Sequence, residues 1–149
     1  LLLKIVIAIA AGIGAGFVKC VNGNFFEVEM PLANSLVLSI LSMQFMPTSY
    51  RQKMLNDIYD HMLYGGALVF VEKVVADGGA DDLLVDLYYE MKRRNGYTIE
   101  KIVEKRKSLE NVLSPLKPGW NVEMLHNAGF KVVDMFWRCL NFCGWIAIK

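Results

Sequence analysis

Short apolar runs alternate with helical segments along most of this chain, and this alternation constrains its fold most strongly. Two runs, Ser35–Leu41 and Ala67–Val71, are almost continuously apolar, which is typical of strands buried on both faces of a parallel sheet. Each precedes a segment with apolar residues at helical spacing, from Tyr50 to about Leu63 and from Asp81 to about Arg93. The alternation predicts an α/β fold with a doubly wound, mostly parallel sheet.

The C-terminal part departs from this alternation. A short helix is predicted at residues 121–128, and Gly129 ends it. Phe130–Arg138 and Cys139–Ile148 then read as two strands with no room for a helix between them, so we expect them to be antiparallel neighbours. The predicted sheet therefore ends in a C-terminal antiparallel hairpin. We expect one domain over residues 1–149, with a helical hairpin inserted at about 81–113.

Composition and charge restrict the class of protein further. The chain is 54% hydrophobic with a mean hydropathy of +0.33, so either both sheet faces are covered or some apolar surface is buried against another subunit. A net charge of +1 argues against bulk electrostatic capture of nucleic acid. The 3 cysteines lack the spacing of a metal site, which favours reduced thiols in a cytoplasmic protein.

The N-terminal residues are nearly all apolar, but we do not expect them to span a membrane. Lys4 and Lys19 leave only 14 uncharged residues between them, fewer than the roughly 17–25 that a spanning helix needs. We predict instead a buried parallel strand at Lys4–Ile9, then a glycine-rich turn and a helix toward Cys20. Ligands approach such turns in nucleotide-binding α/β folds, although no complete G-x-G-x-x-G is present here.

A basic stretch, Met91–Leu113, holds 7 of the 16 lysines and arginines. Asn95-Gly96 is a turn dipeptide and should end the preceding helix, whose apolar face is formed by Leu83, Leu84, Leu87 and Met91. Thr98 can cap a second helix. The stretch therefore predicts a helical hairpin.

Arg106 is the candidate binding residue of this hairpin. It lies four residues after Ile102 and three before Leu109, and so shares their helix face. In one interpretation its stem packs on that face and its head reaches water, near Glu110. In the other its planar guanidinium recognises a carboxylate or a phosphate.

Motifs distributed from Gly23 to Lys149 follow the order and spacing of a known family. They are Gln44-Phe45, Gly65–Val69 leading to Glu72-Lys73, Lys92-Arg93, Asn95–Tyr97, Lys105-Arg106, Leu109–Val112, Ala128–Phe130, Asn141-Phe142 and Ala147–Lys149. With these motifs the chain resembles the carboxy-S-adenosyl-L-methionine synthases. These enzymes have the class I methyltransferase fold and were earlier described as tRNA wobble-uridine methyltransferases.

The resemblance implies S-adenosyl-L-methionine, or its carboxylated form, as the cofactor at the strand ends. It implies prephenate as the small-molecule substrate, and a partner enzyme that uses the carboxylated cofactor to modify uridine in tRNA. Arg106 matches the arginine that reads the carboxylate, and Tyr97 matches an aromatic residue near the same pocket. It also implies a homodimer, which we expect because an apolar sheet without its first strand leaves a bare flank. No direct nucleic-acid binding and no membrane are expected.

The chain also departs from the family pattern. The first strand, with its Asp-x-Gly motif, has no counterpart. Ala10, followed by Ala11, stands where an aspartate would hold the ribose, and Asn24 with Phe25 stands where Asp-Ile would flank adenine. Ile40 replaces an asparagine. Each lost polar contact weakens cofactor binding by about 1–3 kcal/mol. The alternative hypothesis is a degenerate, non-catalytic methyltransferase-fold module for binding or dimerisation.

Overall fold

A computed structural model of the 149-residue chain describes residues 5–10, 18–23, 25 and 27–149. The chain divides into two compact units, Leu1–Pro31 and Leu32–Lys149. Each unit is described by itself. Among the described residues, no helix has the length and apolar character that crossing a bilayer requires.

The N-terminal unit contains a two-stranded antiparallel sheet. Strand β1 is Ile5–Ala10 and strand β2 is Val18–Gly23, with Ile5 opposite Gly23 and Ala10 opposite Val18. The prediction of a parallel strand followed by a helix toward Cys20 is therefore wrong. Residues 11–17 are too few for a helical crossover, which takes a dozen or so residues, whereas antiparallel strands need only a short connection.

A mixed four-stranded sheet organises the second unit. Its strands are β3 (Asn34–Ile40), β4 (Met62–Lys73), β5 (Val132–Cys139) and β6 (Phe142–Ile148). The spatial order is β3-β4-β6-β5; β3 and β4 are parallel, and β6 is antiparallel to both of its neighbours. Three strands thus run one way and β6 runs the other. The predicted fold class, with its C-terminal antiparallel hairpin, is confirmed.

Four helices connect these strands. They are α1 (Thr48–Asp60), α2 (Asp81–Arg94), α3 (Ile99–Leu109) and α4 (Pro118–Asn127), and a 3₁₀ turn at Met43–Phe45 follows β3. The predicted hairpin of α2 and α3 is confirmed. Gly96 takes the positive φ that the turn needs (86°), and the Thr98 side chain accepts a hydrogen bond from the Lys101 amide at 3.4 Å.

The core lies on one face of the sheet. Leu68, Phe70 and Trp145 are fully buried there, with the Phe70 and Trp145 rings 5.7 Å apart between centroids. Helix α1 contributes buried side chains, among them Leu55 and Ile58. Burying each large apolar side chain of this kind stabilises the fold by about 1.5–3 kcal/mol.

The opposite face is open along β3. Leu36, Leu38 and Ile40 point to that face and are exposed, because alternate residues of a strand face opposite sides and β3 is at the edge of its sheet. The prediction that Ser35–Leu41 is buried on both faces is thus wrong for one face. The prediction that Leu83, Leu87 and Met91 of α2 point inward is also wrong, since all three are exposed.

Candidate functional site

The carboxyl ends of the parallel strands β3 and β4 form the candidate site. Ile40 ends β3 and lies opposite Val71 of β4, so it shares a sheet face with Lys73, two residues beyond Val71. Open α/β sheets bind their ligands in the crevice outside such strand ends. This is where the sequence placed a ligand.

Glu72 fixes the loop that follows β3. Its carboxylate oxygens Oε1 and Oε2 accept hydrogen bonds from the amides of Met43 (2.9 Å) and Gln44 (2.7 Å). In return, the Gln44 side-chain oxygen accepts a hydrogen bond from the Lys73 amide at 2.8 Å. The end of β4 therefore holds the backbone of the loop beside the ligand crevice.

The side chain of Arg51, on helix α1, binds the same loop through its backbone carbonyls. It is 2% exposed, and its guanidinium donates to the carbonyl oxygens of Met46 (2.9 Å), Gln44 (3.2 Å) and Ser114 (2.7 Å). Ser114 follows α3, so this side chain ties the hairpin region to the loop. Burial lowers the pKa of Arg51, and the nearby charge of Glu72 acts against that shift.

Burial also changes the ionisation of Glu72, which is 3% exposed. Desolvation raises its pKa to about 7, against the opposing effects of the Met43 and Gln44 amides and of Arg51. The loop anchor is thus a carboxyl group that titrates near neutral pH.

Two lysines and two aromatic rings lie close together beside the end of β4, and Arg106 is near enough to act on Lys73 electrostatically. The Lys92 ammonium nitrogen is 4.6 Å from the Tyr88 ring centroid and 5.8 Å from that of Tyr97. The Lys73 ammonium lies 5.6 Å from the Tyr88 centroid. Burial lowers the pKa of Lys73, and the charges of Lys92 and Arg106 lower it further while Asp81 opposes them. An excess of positive charge with aromatic walls favours an anionic ligand.

Arg106 is exposed on α3, one turn after the buried Ile102. Within the described part of the chain, its guanidinium has neither a hydrogen bond nor an ion pair, and the pairing with Glu110 that the sequence allowed is not formed. A guanidinium free of protein partners can bind a carboxylate through two parallel hydrogen bonds. Arg106, Lys92 and Lys73 are called the cationic cluster below.

The remaining predicted site residues have different surroundings. Tyr97 lies beside Lys92 and is half exposed. Ala10 ends β1 and Phe25 is buried, both in the N-terminal unit. Ala11 and Asn24 lie outside the described residues.

Sequence reasoning missed the roles of Glu72, Arg51, Lys73 and Lys92. A charged pair directly after the apolar run Ala67–Val71 was a usable signal, because charged residues that end a buried strand commonly face a site. Arg51 gave no signal, since its carbonyl partners lie on segments that only the fold brings together.

Solved structures show which fold this is. The chain superposes on a putative O-methyltransferase from Nostoc punctiforme with a TM-score of 0.59 and 14% identity, covering 87% of this chain and 36% of that one. Human N-acetylserotonin methyltransferase, solved with S-adenosylmethionine, gives 0.58 and 19%, with 85% and 32% covered. The fold is therefore that of the class I S-adenosylmethionine-dependent methyltransferases.

Sequence comparison finds similar proteins that share one name. The carboxy-S-adenosyl-L-methionine synthase of Methylococcus capsulatus is 46% identical over 116 residues, which are 77% of this chain and 48% of that protein. The Nautilia profundicola synthase is 34% identical over 133 residues, 89% of this chain and 56% of that protein. The chain is thus a homologue of the carboxy-S-adenosyl-L-methionine synthases and spans about half the length of these curated relatives. No protein-family model matches it.

Proposed function

We propose that this chain takes part in an S-adenosylmethionine-dependent transfer reaction of the carboxy-S-adenosyl-L-methionine synthase type. The cationic cluster would hold the extra carboxylate of the carboxylated cofactor. The convergence of Lys73, Lys92 and the unpaired Arg106 on the carboxyl end of β4 carries this proposal. Homology to the synthases and the methyltransferase fold support the identity of the cofactor.

The described residues fit the carboxylate of that cofactor but not its ribose. Arg106 offers a planar pair of donors for a carboxylate, the two lysines add positive potential, and the Tyr88 and Tyr97 rings lie beside Lys92. Ala10, in contrast, has no side-chain acceptor for a ribose hydroxyl, and Ile40 offers only apolar surface. When bound, the cofactor supplies the carbon that reacts. The chain's own contribution is to bind and orient the acidic group.

The resemblance of the motifs supports a proposal for the substrate and the biological role. A prephenate-like dicarboxylate fits a site with an excess of positive charge. The product would serve the modification of wobble uridine in tRNA in the cytoplasm. The chain itself need not contact RNA, in keeping with its net charge of +1.

The test replaces Arg106 with lysine, which keeps the charge but loses the planar fork. We expect Arg106→Lys to weaken binding of the carboxylated cofactor by about 1–3 kcal/mol, roughly fivefold to 150-fold, measured by calorimetry or by chemical-shift titration. Arg93→Lys is the matched control, because Arg93 is on the same hairpin but pairs with Glu90 at 3.1 Å. Equal affinity of Arg106→Lys and the parent would exclude the carboxylate site.

A second candidate function is a non-catalytic binding module. One observation favours it: Ala10, where the resemblance places an aspartate, has no side-chain acceptor for a ribose hydroxyl. The two functions differ in turnover. Incubation with S-adenosylmethionine and prephenate, followed by mass spectrometry, yields the carboxylated cofactor only if the chain is catalytic.

A further inference from the structure

Gln44, in the 3₁₀ turn after β3, is bonded to three separate parts of the fold. Its backbone amide donates to Glu72 at 2.7 Å, and its carbonyl oxygen accepts from Arg51 at 3.2 Å and from the Ser114 amide at 2.9 Å. Its side-chain oxygen Oε1 accepts from the Lys73 amide at 2.8 Å. Strand β4, helix α1 and the segment after α3 therefore fix both the backbone and the side chain of this residue.

The Gln44 side chain takes the place of a backbone carbonyl at the end of β3. Leu41 donates to the Val71 carbonyl at 2.7 Å, and a regular parallel ladder would next bring the Lys73 amide to the Leu41 carbonyl. Instead, Oε1 of Gln44 accepts the hydrogen bond of the Lys73 amide. The side-chain amide thus lies at the carboxyl end of the β3–β4 pair, where open α/β sheets bind their ligands.

Backbone strain at the same point supports a ligand site. The φ of Leu41 is 52°, a left-handed conformation that leucine adopts rarely because its Cβ approaches the following carbonyl oxygen. Such residues persist only where the surrounding structure holds them, and they are concentrated at ligand and active sites. Here the strained residue turns the chain out of the ladder and leaves the Lys73 amide to the Gln44 side chain.

One polar atom of Gln44 has no partner. The Lys73 amide is a donor, so the atom facing it is the oxygen, and the nitrogen Nε2 is the other end of the side-chain amide. Among the described residues, no group accepts a hydrogen bond from Nε2, although Gln44 is only 6% exposed. Nε2 is not sealed in the interior, unlike the unpaired side-chain atoms of Asn121, Asn141 and Trp145. It therefore presents two N–H donors in a fixed orientation at the crevice.

The neighbouring charges indicate what this donor binds. Lys73 links the two features, because its amide holds the Gln44 side chain and its ammonium group belongs to the cationic cluster. A cation favours a carboxylate, whereas the uncharged amide matches a carbonyl oxygen, which only accepts hydrogen bonds.

We infer that Gln44 is a specificity-determining residue: its Nε2 donates to the carbonyl oxygen of a 2-oxo acid whose carboxylate the cationic cluster binds. Prephenate, the substrate proposed above, carries such a carbonyl beside one of its carboxylates. The inference rests on the proposed function for the carboxylate, whereas the unpaired donor is independent of it.

The experiment compares two acids that differ only in the keto oxygen, phenylpyruvate and 3-phenylpropionate. Calorimetry with the full chain should show phenylpyruvate binding roughly threefold to tenfold more tightly, the contribution of one hydrogen bond. Gln44→Glu keeps an acceptor for the Lys73 amide but loses the donor, so it should bring the ratio of the two affinities to about 1. The added negative charge weakens binding of both acids and leaves their ratio unchanged.

Gln52→Glu is the matched control. It makes the same replacement on α1, where the Gln52 side chain donates to Asn56 and to the Met124 carbonyl. The ratio of the two affinities should stay at the parental value.

A second measurement uses the parent protein. Gln44 and Gln52 are the glutamines of the chain, so isotopic labelling of the glutamine side-chain nitrogen gives one NMR signal from each, and Gln52→Glu assigns them. Phenylpyruvate should shift the Gln44 signal, 3-phenylpropionate should leave it nearly in place, and neither should shift that of Gln52. This measurement decides the question even if Gln44→Glu does not fold.

The outcomes separate the role of Gln44 from the carboxylate site. A preference for phenylpyruvate that only Gln44→Glu removes, with the shift of the Gln44 signal, supports the inference. Equal binding of the two acids, a preference that Gln44→Glu keeps, or an unmoved Gln44 signal overturns it. If Arg106→Lys still weakens binding of both acids in that case, the proposed function stands. If neither acid binds at millimolar concentration, both the inference and the carboxylate site are refuted.

Discussion

The buried carboxyl group of Glu72 makes the stability of residues 32–149 depend on pH. Burial raises its pKa from an ordinary 4.5 to about 7 in the folded protein. The groups that face it are the Ser42, Met43 and Gln44 amides, Arg51 from α1, and Cys143, its partner across β4 and β6. Only Arg51 among them carries a charge over the neutral range.

The sign follows from proton binding. Between pH 4.5 and about 7 the folded protein keeps a proton on Glu72 that the unfolded chain has released. The stabilisation that comes from the proton on Glu72 is therefore fully present below pH 4.5 and falls as the pH rises toward 7. Above about pH 7 this stabilisation is lost, and the free energy of unfolding no longer changes through Glu72. A shift of about 2.5 units at about 1.4 kcal/mol per unit lowers the free energy of unfolding by about 3 kcal/mol across this window.

The measurement is urea unfolding followed by tryptophan fluorescence at a series of pH values. All 3 tryptophans, Trp120, Trp137 and Trp145, belong to the second unit, so the signal reports that unit alone. Glu72→Gln should remove this pH dependence. It should also lower stability at every pH by about 1–3 kcal/mol, because its amide group faces the Gln44 amide without an acceptor.

Glu123→Gln, at an exposed position on α4, is the control and should keep the parental pH profile. If Glu72→Gln and the parent lose the same stability between pH 4.5 and 7, Glu72 does not titrate in this window. The loop after β3 would then be held by a carboxylate that stays ionised.

Three further predictions concern binding, packing and assembly. Calorimetry of the chain alone with S-adenosylmethionine should show a dissociation constant no tighter than about 100 μM, because the ribose contacts are lost; a low-micromolar isotherm would contradict this. Gly129→Ala should lower the free energy of unfolding by about 1–3 kcal/mol, because φ at Gly129 is 113° and the added Cβ would lie 2.8 Å from the Tyr59 ring. Gly119→Ala is the control, because the space around Gly119 is open, and it should leave the free energy of unfolding unchanged. Sedimentation equilibrium should show a homodimer that Leu87→Glu dissociates, because the exposed apolar stripe of α2 offers a surface for a second copy; a monomer at high concentration would refute it.

Local chemistry made the α2–α3 hairpin predictable. A turn at Asn95-Gly96 and a cap at Thr98 depend on residues close in sequence, and the structure has both. The positions of the second unit's strands followed from apolar runs, but β4 begins at Met62 and not at the predicted Ala67. Features of this kind are recorded in short stretches of sequence, whatever the rest of the chain does.

Exposure along β3 was not predictable in the same way. The run Ser35–Leu41 is apolar on both faces, but whether both are covered depends on a neighbouring layer that lies elsewhere in sequence or in another molecule. The Arg51–Glu72 anchor was missed for a similar reason: the two residues share no motif, and their partners come from three separate segments. Pairing between distant segments leaves little trace in a single sequence.

The position of β6 has a consequence for how this protein is made. It follows every other described element along the chain, yet it lies between β4 and β5, with Ala67 opposite Ile148. During synthesis, β4 and β5 leave the ribosome before β6, the strand that lies between them. Until β6 emerges, the edges of β4 and β5 that pair with it have no partner strand. Contacts so distant in sequence form slowly and expose the nascent chain to aggregation. The nascent sheet is therefore most exposed to aggregation before β6 has emerged.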